Sequence, residues 1–230
     1  MRAQRLSVIA LLAVACSKSS TAPSPAYVCA GKPYPTTAPA SIMISGTISD
    51  FLAGKLDSVK VQAFQTGTAS PIDSAITDTA GKFSMTVTTG GTPLDGYVHA
   101  SKTGYIDTYA YPSAPLPANA TIAIPMVTSG EFSLLAGQAG VTPVAGKASL
   151  GLEPVDCTGA AVPGALVYTS PSAQAYTNGT GDFFVFNAAP GSTDVSASFQ
   201  SHIFHTHTIV AVADAVTISI IAPGPLSPPE

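Results

Sequence analysis

The chain has 230 residues, of which 46% are hydrophobic and only 10% charged, and it contains no tryptophan. Its 20 glycines and 20 prolines suit short strands joined by many turns and disfavour a helix-rich fold. The net charge is −4, and both arginines, Arg2 and Arg5, lie at the N-terminus. A nucleic-acid partner is not expected, because phosphate binding needs clustered Lys and Arg.

The start of the chain has the organisation of an export signal. A basic stretch over 1–5 precedes an apolar stretch over 6–15, which is too short to cross a bilayer core of about 30 Å as a helix. The residues before Cys16 are small and resemble the bacterial lipoprotein cleavage box, with Ala13 where that box usually has Leu. The resemblance implies that Cys16 carries the lipid anchor. The alternative is an ordinary signal peptide cut near Ala15.

The residues after Cys16 predict where the protein is carried and how it is displayed. By the same resemblance, Ser17 in place of Asp implies export to the bacterial outer membrane, facing the periplasm or the cell surface. Residues 17–40 are rich in Ser, Thr, Ala and Pro and have few large apolar side chains, which is typical of a tether. At about 3 Å per residue, such a tether reaches on the order of 70 Å.

Cys29 and Cys157 remain as an even pair in an oxidising compartment once Cys16 is lipidated. We expect the two to form a disulfide, which would hold the end of the tether on the second half of the chain. Only residues 17–28 would then be free. The alternative is two unpaired thiols in separate loops.

Residues 41–128 predict a first β-sandwich. Val59, Val61 and Ala63 alternate with polar residues, so one face of that strand is buried and the other is solvated. Short strands with a turn about every eight to twelve residues are typical of this fold. The predicted strands are Ile42–Ile48, Ser58–Phe64, Ile72–Thr77, Lys82–Thr88, Gly96–Ala100, Tyr105–Tyr111 and Thr121–Val127.

A helical connector over 129–143 and a second β-sandwich over 144–223 follow, with a Pro-rich tail over 224–230. In the connector, a Ser cap and a terminal Gly enclose apolar residues that recur at i, i+3, i+4 and i+7. These residues are Phe132, Leu135, Ala136 and Ala139. The strands predicted for the second sandwich are Lys147–Leu152, Ala165–Thr169, Ala173–Thr177, Phe183–Asn187, Thr193–Phe199, Ile203–Val212 and Val216–Ile221.

A short pattern recurs at an offset of 100 residues. Gly46, Thr77, Gly81, Phe83 and Gly91 are matched by Gly146, Thr177, Gly181, Phe183 and Gly191. Each copy places a polar turn with a Gly between alternating apolar runs, which predicts a β-hairpin whose Gly has a positive φ. The repeat indicates two copies of one module. Specific function is expected where the copies differ.

The motifs of both modules are similar to those of one domain family. The first module has Thr-Asp-x-x-Gly-x-Phe at 77–83 and a late Gly-Tyr at 104–105. The second has Pro-Gly-Ala-Leu-Val at 163–167 and a related turn at 177–183, with Asn178 for Asp and no late Gly-Tyr. These motifs resemble the carboxypeptidase regulatory-like domain. The resemblance implies an all-β chain of two tandem seven-stranded transthyretin-like or Ig-like sandwiches joined by a short helix.

Three histidines, His202, His205 and His207, lie close together in the sequence. On a strand, residues 205 and 207 project from the same face, as metal ligands would. With the motifs of the second module, this resembles the intradiol ring-cleavage dioxygenases, which hold iron with two Tyr and a His-x-His strand. Thr193 and Asp194 stand where that family has a Tyr after Pro-Gly. We therefore predict no catalytic residue and no cofactor, with such a metal-dependent enzyme as the least favoured alternative.

Tyr105, Tyr109 and Tyr111 share one parity and predict a single aromatic strand face. Such a face can stack on sugars or pack on a partner, so a carbohydrate-binding module is the second hypothesis, beside ordinary packing of the rings. The first hypothesis is a non-catalytic surface lipoprotein that serves adhesion, envelope structure or protein docking. Its membrane contact is the lipid anchor. The sequence leaves open whether its partner is a protein or a polysaccharide.

Overall fold

The computed structural model describes residues 25–177 and 179–226. The predicted signal peptide with Cys16, the first part of the tether, Asn178 and the last four residues of the tail lie outside these ranges. Within them, no helix is long and apolar enough to cross a membrane. This described part of the chain is all-β, as predicted, with one short α-helix.

The elements follow in chain order, after a 3₁₀ turn at Pro25–Tyr27. They are β1 (Ser41–Asp50), β2 (Gly54–Lys55), β3 (Lys60–Gln65), β4 (Asp73–Ile76), β5 (Lys82–Thr88), β6 (Gly96–Ser101), β7 (Thr108–Tyr111), β8 (Ala120–Met126), α1 (Ser129–Gln138), β9 (Ala148–Pro154), β10 (Leu166–Ser170), β11 (Ala175–Thr177), β12 (Phe183–Ala188), β13 (Gly191–Phe199), β14 (His202–Ile203), β15 (His207–Ala211) and β16 (Val216–Ile221).

The first sandwich consists of two layers. In one layer, β1 pairs antiparallel with β5 and with the short β2, and parallel with β8. The other layer runs in the order β7, β6, β3, β4 and is antiparallel throughout. The alternation predicted for β3 is confirmed, because Val61 and Ala63 are buried and Lys60 is exposed. The inward side chains form one hydrophobic core centred on Ile42, Ile48, Ile124 and Met126.

The second sandwich repeats this plan with one difference in strand pairing. β13 pairs with β10 on one side and with β14 and β15 on the other, and this sheet faces the strands β11, β12, β9 and β16. Its core is centred on Leu150, Leu152, Phe204 and Ile209. The edge strand β4 pairs with β3, whereas its counterpart β11 pairs with β12, in the opposite layer. The repeat in the structure therefore does not extend to the pairing of this edge strand.

The two sandwiches share one sheet. β7 of the first pairs parallel with β16 of the second, from Thr108 opposite Val216 to Tyr111 opposite Ser219. This pairing produces an eight-stranded sheet in the order β11, β12, β9, β16, β7, β6, β3, β4. The repeat predicts two tandem modules, and it contains no sign that their sheets are continuous.

Each face of this shared sheet covers a hydrophobic core on one side of the β7–β16 junction and continues past that core on the other side. Residues opposite one another on paired strands lie on the same face. The face that carries Val98 in the first core continues across the junction as Ile218 and reaches Phe184. The other face carries Leu150 in the second core and continues as Tyr109. One face of each sandwich therefore extends beyond its own core.

Most predicted strand ends shift by one or two residues, and larger differences affect two strands. The strand predicted from Tyr105 begins at Thr108, because a turn in which the Tyr105 N–H donates to the Lys102 carbonyl at 3.0 Å precedes it. The strand predicted over 203–212 is divided into β14 and β15. The chain leaves the sheet between them so that Phe204 enters the second core.

The helix cap is Thr128 and not the predicted Ser129. The Thr128 hydroxyl accepts from the Glu131 N–H at 3.3 Å, and the Glu131 carboxylate accepts from the Thr128 N–H at 2.7 Å, which together form a capping box. At the other end, the Val141 N–H donates to the Ala136 carbonyl across Gly140, as in a Schellman motif. The predicted terminal Gly is therefore in place.

A disulfide joins Cys29 to Cys157, with the two Cα atoms 5.6 Å apart. Both half-cystines are buried, and the Cys157 N–H donates to the Ala26 carbonyl at 2.8 Å. Tyr27 stacks on His202 with ring centroids 4.0 Å apart. The part of the predicted tether around Tyr27 and Cys29 is thus held against the second sandwich.

Gly46 lies where β1 and β8 leave no room for a side chain. A Cβ there would lie 2.0 Å from the Ile122 carbonyl oxygen, whereas Gly146, its repeat partner, has a φ of +76° and nothing within 4 Å. We expect Gly46→Ala to lower the free energy of unfolding by about 1–3 kcal/mol, because the two strands must separate. Urea denaturation measures this loss. Gly137→Ala, in an open position of α1, is the matched control, and equal midpoints for the two variants would contradict the prediction.

Candidate binding site

An open groove lies between the two sandwiches, beside β8. It exists because the layer that contains β1 and β5 ends at β8, while the shared sheet below it continues from β7 into β16, β9 and β12. The groove has a volume of about 680 Å³, within the range of sites that bind ligands. It is the feature of the fold most suited to hold another molecule.

The floor of the groove is the outward face of the second sandwich. Ile218 of β16 and Phe184 of β12 point into it, while their chain neighbours point into the second core. Gly151 lies between them on β9 and packs closely against the Ile218 side chain, since a Cβ there would lie only 3.2 Å from Ile218 Cγ2. Helix α1 contributes a wall, with Phe132 5.6 Å from Phe186 between ring centroids.

The open edge of β8 forms the opposite wall. The Phe51 N–H donates to the Met126 carbonyl, so Met126 directs its backbone polar groups towards β1. Because these directions alternate along a strand, Thr121, Ala123 and Pro125 direct theirs towards the groove. Within the described part of the chain, β8 pairs only with β1. The groove therefore contains two backbone N–H donors and three carbonyl acceptors of a strand edge, since Pro125 has no N–H.

The charge in the groove is negative. Among the described residues that line it, Glu153 and Asp182 are acidic and none is Lys or Arg. Burial raises the pKa of the Glu153 carboxyl, and the nearby Asp182 raises it further. Tyr34 also lines the groove, and its hydroxyl is buried without a hydrogen-bond partner in the described structure. An apolar ligand with a cationic group fits this lining.

The three predicted histidines do not form a common site. His205 precedes β15, so the alternation that would place it on the same face as His207 does not apply. It is exposed and lies beside Tyr34, with ring centroids 4.9 Å apart, whereas His202 stacks on Tyr27. Over residues 25–177 and 179–226, no group of three or more His, Cys, Asp or Glu is placed to hold a metal ion.

His207 is instead a packing residue between β15 and β16. Its Nε2 lies 2.7 Å from the Ser219 hydroxyl, and its Nδ1 is buried without a partner in the described structure. Burial, with a smaller contribution from the charge of His205, lowers the pKa of His207 to about 4, while Asp194 acts in the opposite direction. The folded protein therefore holds this imidazole in its neutral form.

The lowered pKa of His207 predicts a pH dependence of stability. An unfolded chain binds a proton on this residue near pH 6.5 and the folded chain only near pH 4, so the contribution of His207 to stability is complete above pH 6.5. It falls as the pH falls from 6.5 to 4, by up to about 3 kcal/mol. Denaturation of the wild type and of His207→Gln across this range measures the loss. Parallel pH profiles for the two proteins would contradict the assignment.

Tyr109 and Tyr111 share one face of β7, which is directed to the second core, but Tyr105 does not lie on it. Tyr105 lies outside β7, and its hydroxyl donates to Asp50 Oδ2 at 2.9 Å beside the first core. Tyr111 is 9% exposed, and burial raises its pKa to about 12. Tyr109 is half-buried and is covered by His99, with ring centroids 4.4 Å apart. Tyr109 and Tyr111 stack on protein side chains, and the three rings do not form one flat aromatic platform of the kind expected for sugars.

Sequence reasoning missed the floor of the groove. Residues 183–186 are apolar without alternation, as are 220–222, and such runs indicate strands covered on both faces. That signal was available, but only the pairing of β9 with both β12 and β16 places the two runs in one sheet. The open edge of β8 has a weaker signal in Pro125, a residue that sheets tolerate at an edge.

No family model matches this chain, and no curated protein matches it. Solved structures with a similar arrangement are β-sandwich proteins of the Ig-like kind. The Bacillus anthracis TIE protein is 11% identical over 80% of this chain and 34% of its own, with a TM-score of 0.30. A streptococcal ancillary pilin is 13% identical over 80% and 62%, with a TM-score of 0.27. The shaft pilin SpaA from Lactobacillus rhamnosus GG is 11% identical over 81% and 100%, with a TM-score of 0.28.

This chain spans about a third of the TIE protein and 56% of a cohesin–X-dockerin chain from Acetivibrio cellulolyticus. Similarities at this level concern the fold and carry no argument about activity.

Proposed function

We propose that this protein is a non-catalytic binding protein of the bacterial cell envelope. A lipid on Cys16 holds it at the outer membrane, and its two carboxypeptidase regulatory-like sandwiches present the groove to a partner protein. The observation that carries the proposal is the apolar floor around Phe184 and Ile218, which lines an open groove beside the edge of β8 that does not pair with β1. Open apolar surface of this kind is typical of interaction sites.

Two comparisons within the molecule support a protein partner over the alternatives. The tyrosines that suggested sugar binding are buried or covered by other side chains. The histidines that suggested iron have three separate partners, namely Tyr27, Tyr34 and Ser219. The groove combines apolar side chains with backbone donors and acceptors, which is the chemistry of another polypeptide.

Membrane attachment is tested by labelling with a lipid precursor. The wild type should incorporate the label and sediment with membranes, because several acyl chains anchor a protein stably. Cys16→Ser should be unlabelled and soluble. A Cys16→Ser protein that still sediments with membranes would contradict lipid anchoring.

Partner binding is tested by photo-crosslinking in the producing cell. A photoreactive amino acid at Phe184 lies in the groove, and the same amino acid at Tyr168, which is 51% exposed on the β10 sheet, is the matched control. We expect one discrete adduct of higher mass from position 184 and none from position 168. Equal patterns from both positions would refute the groove as the binding site.

A further inference from the structure

The groove has the chemistry of a missing strand, because apolar side chains and the unpaired edge of β8 line it together. Neighbouring strands lie about 4.8 Å apart, and packed sheets lie about 10 Å apart. A strand added beside β8 would extend the layer of β1 and β5 over β16 and β9, whose outward faces line the groove there. Its inward side chains would meet Ile218 and Phe184.

We propose that the partner enters this groove as an extended peptide strand that pairs with the open edge of β8. This inference rests on the proposed function and names the form in which the partner binds. Backbone pairing would satisfy the N–H groups of Thr121 and Ala123 and the carbonyls of Thr121, Ala123 and Pro125. Recognition of this kind derives affinity from the main chain and specificity from alternate side chains.

The lining specifies the sequence of the occupant. β8 has seven residues, so the paired segment is of similar length. Every second side chain faces the floor and must be apolar, because Ile218, Ile220 and Phe184 form it. The carboxylates of Glu153 and Asp182, in a lining without Lys or Arg, select a Lys or Arg in the segment.

The tail of the chain itself does not meet these requirements. Residues 227–230 read Ser-Pro-Pro-Glu, which adds negative charge and offers few backbone donors. A second copy of β8 also lacks a cation and contains Pro125. The occupant that fits is therefore a basic, alternating segment of another protein.

The test uses the exported full-length chain with Cys16→Ser and a fluorescent seven-residue peptide that alternates Val and Thr and carries a Lys at each end. Fluorescence anisotropy measures its affinity. Ala123→Pro removes one N–H that faces the groove without touching the pairing to β1, and should weaken binding about tenfold. Ala123→Val retains that N–H and is the matched control. Glu153→Gln should weaken binding about threefold.

A second peptide, with alternate amides N-methylated, separates backbone pairing from apolar contact. It should bind at least about tenfold more weakly than the parent peptide. Equal affinities for the two peptides, or an Ala123→Pro protein that binds like Ala123→Val, would overturn strand addition. Adducts at position 184 would in that case still support the groove as a binding site.

Self-association is measured in parallel by sedimentation of the chain without peptide. A monomer supports an external partner. A dimer that Ala123→Pro dissociates would show that a second copy occupies the edge, and would overturn the assignment of the groove to a peptide of another protein.

Discussion

Replacement of both Cys29 and Cys157 by Ser is expected to lower the free energy of unfolding by about 2–5 kcal/mol. The disulfide closes a loop with a sequence separation of 128, for which the chain-entropy model gives between about 4 and 5 kcal/mol. Packing adds to this effect. Without the bond, the segment around Tyr27 is free to leave the ring of Phe204, which lies 6.4 Å away between centroids.

Chemical denaturation with and without reductant checks this prediction. The oxidised wild type should unfold at higher denaturant than the double Ser variant, and the reduced wild type should match the variant. The same midpoint for the oxidised wild type and the variant would contradict a stabilising disulfide. Limited proteolysis of the same proteins tests whether the segment around Tyr27 docks on the second sandwich. A docked segment is protected from the protease, and reductant should remove that protection.

Replacement of Phe204 by Ala is expected to lower the free energy of unfolding by about 3–5 kcal/mol. Phe204 is 1% exposed and lies in the second core, at the place where the chain leaves the sheet between β14 and β15. Its N–H donates to the Ala197 carbonyl at 2.8 Å, which fixes the backbone there. The cavity left by the ring would not be filled by the rigid strands around it.

Ile203→Ala is the matched control for Phe204→Ala. Ile203 is the preceding residue and is 80% exposed, so its truncation should change stability by less than about 0.5 kcal/mol. Denaturation midpoints of the two variants decide the matter. If Ile203→Ala were the more damaging change, the chain here would have the opposite register, with His205 and not His207 directed inwards.

The fold class could be predicted from the sequence because the patterns that indicate strands and turns involve residues close together in the chain. In β3, apolar and polar residues alternate, and the turn from Thr77 to Phe83 has a Gly at the position with φ +72°. Its repeat partner Gly181 has φ +114°. Such patterns predict strands and hairpins from neighbouring residues alone.

The candidate site could not be predicted in the same way, because it depends on contacts between distant strands. Val216 meets Thr108 across more than a hundred residues, and only this pairing leaves the outward face of β16 beside the edge of β8. The prediction that His205 and His207 project from the same face of a strand failed for a related reason. It assumed one continuous strand through residues 205 and 207, whereas burial of Phe204 interrupts the strand.

Hydrogen exchange of the β8 amides tests the central claim most directly. In the free protein, the N–H groups of Ile122 and Ile124, which face β1, should be protected, and those of Thr121 and Ala123 should exchange rapidly. Addition of the Val-Thr peptide should slow exchange at Thr121 and Ala123 and leave Ile122 and Ile124 unchanged. If the Thr121 and Ala123 amides are already protected without peptide, or stay rapid at saturating peptide, β8 does not present an open edge that accepts a strand.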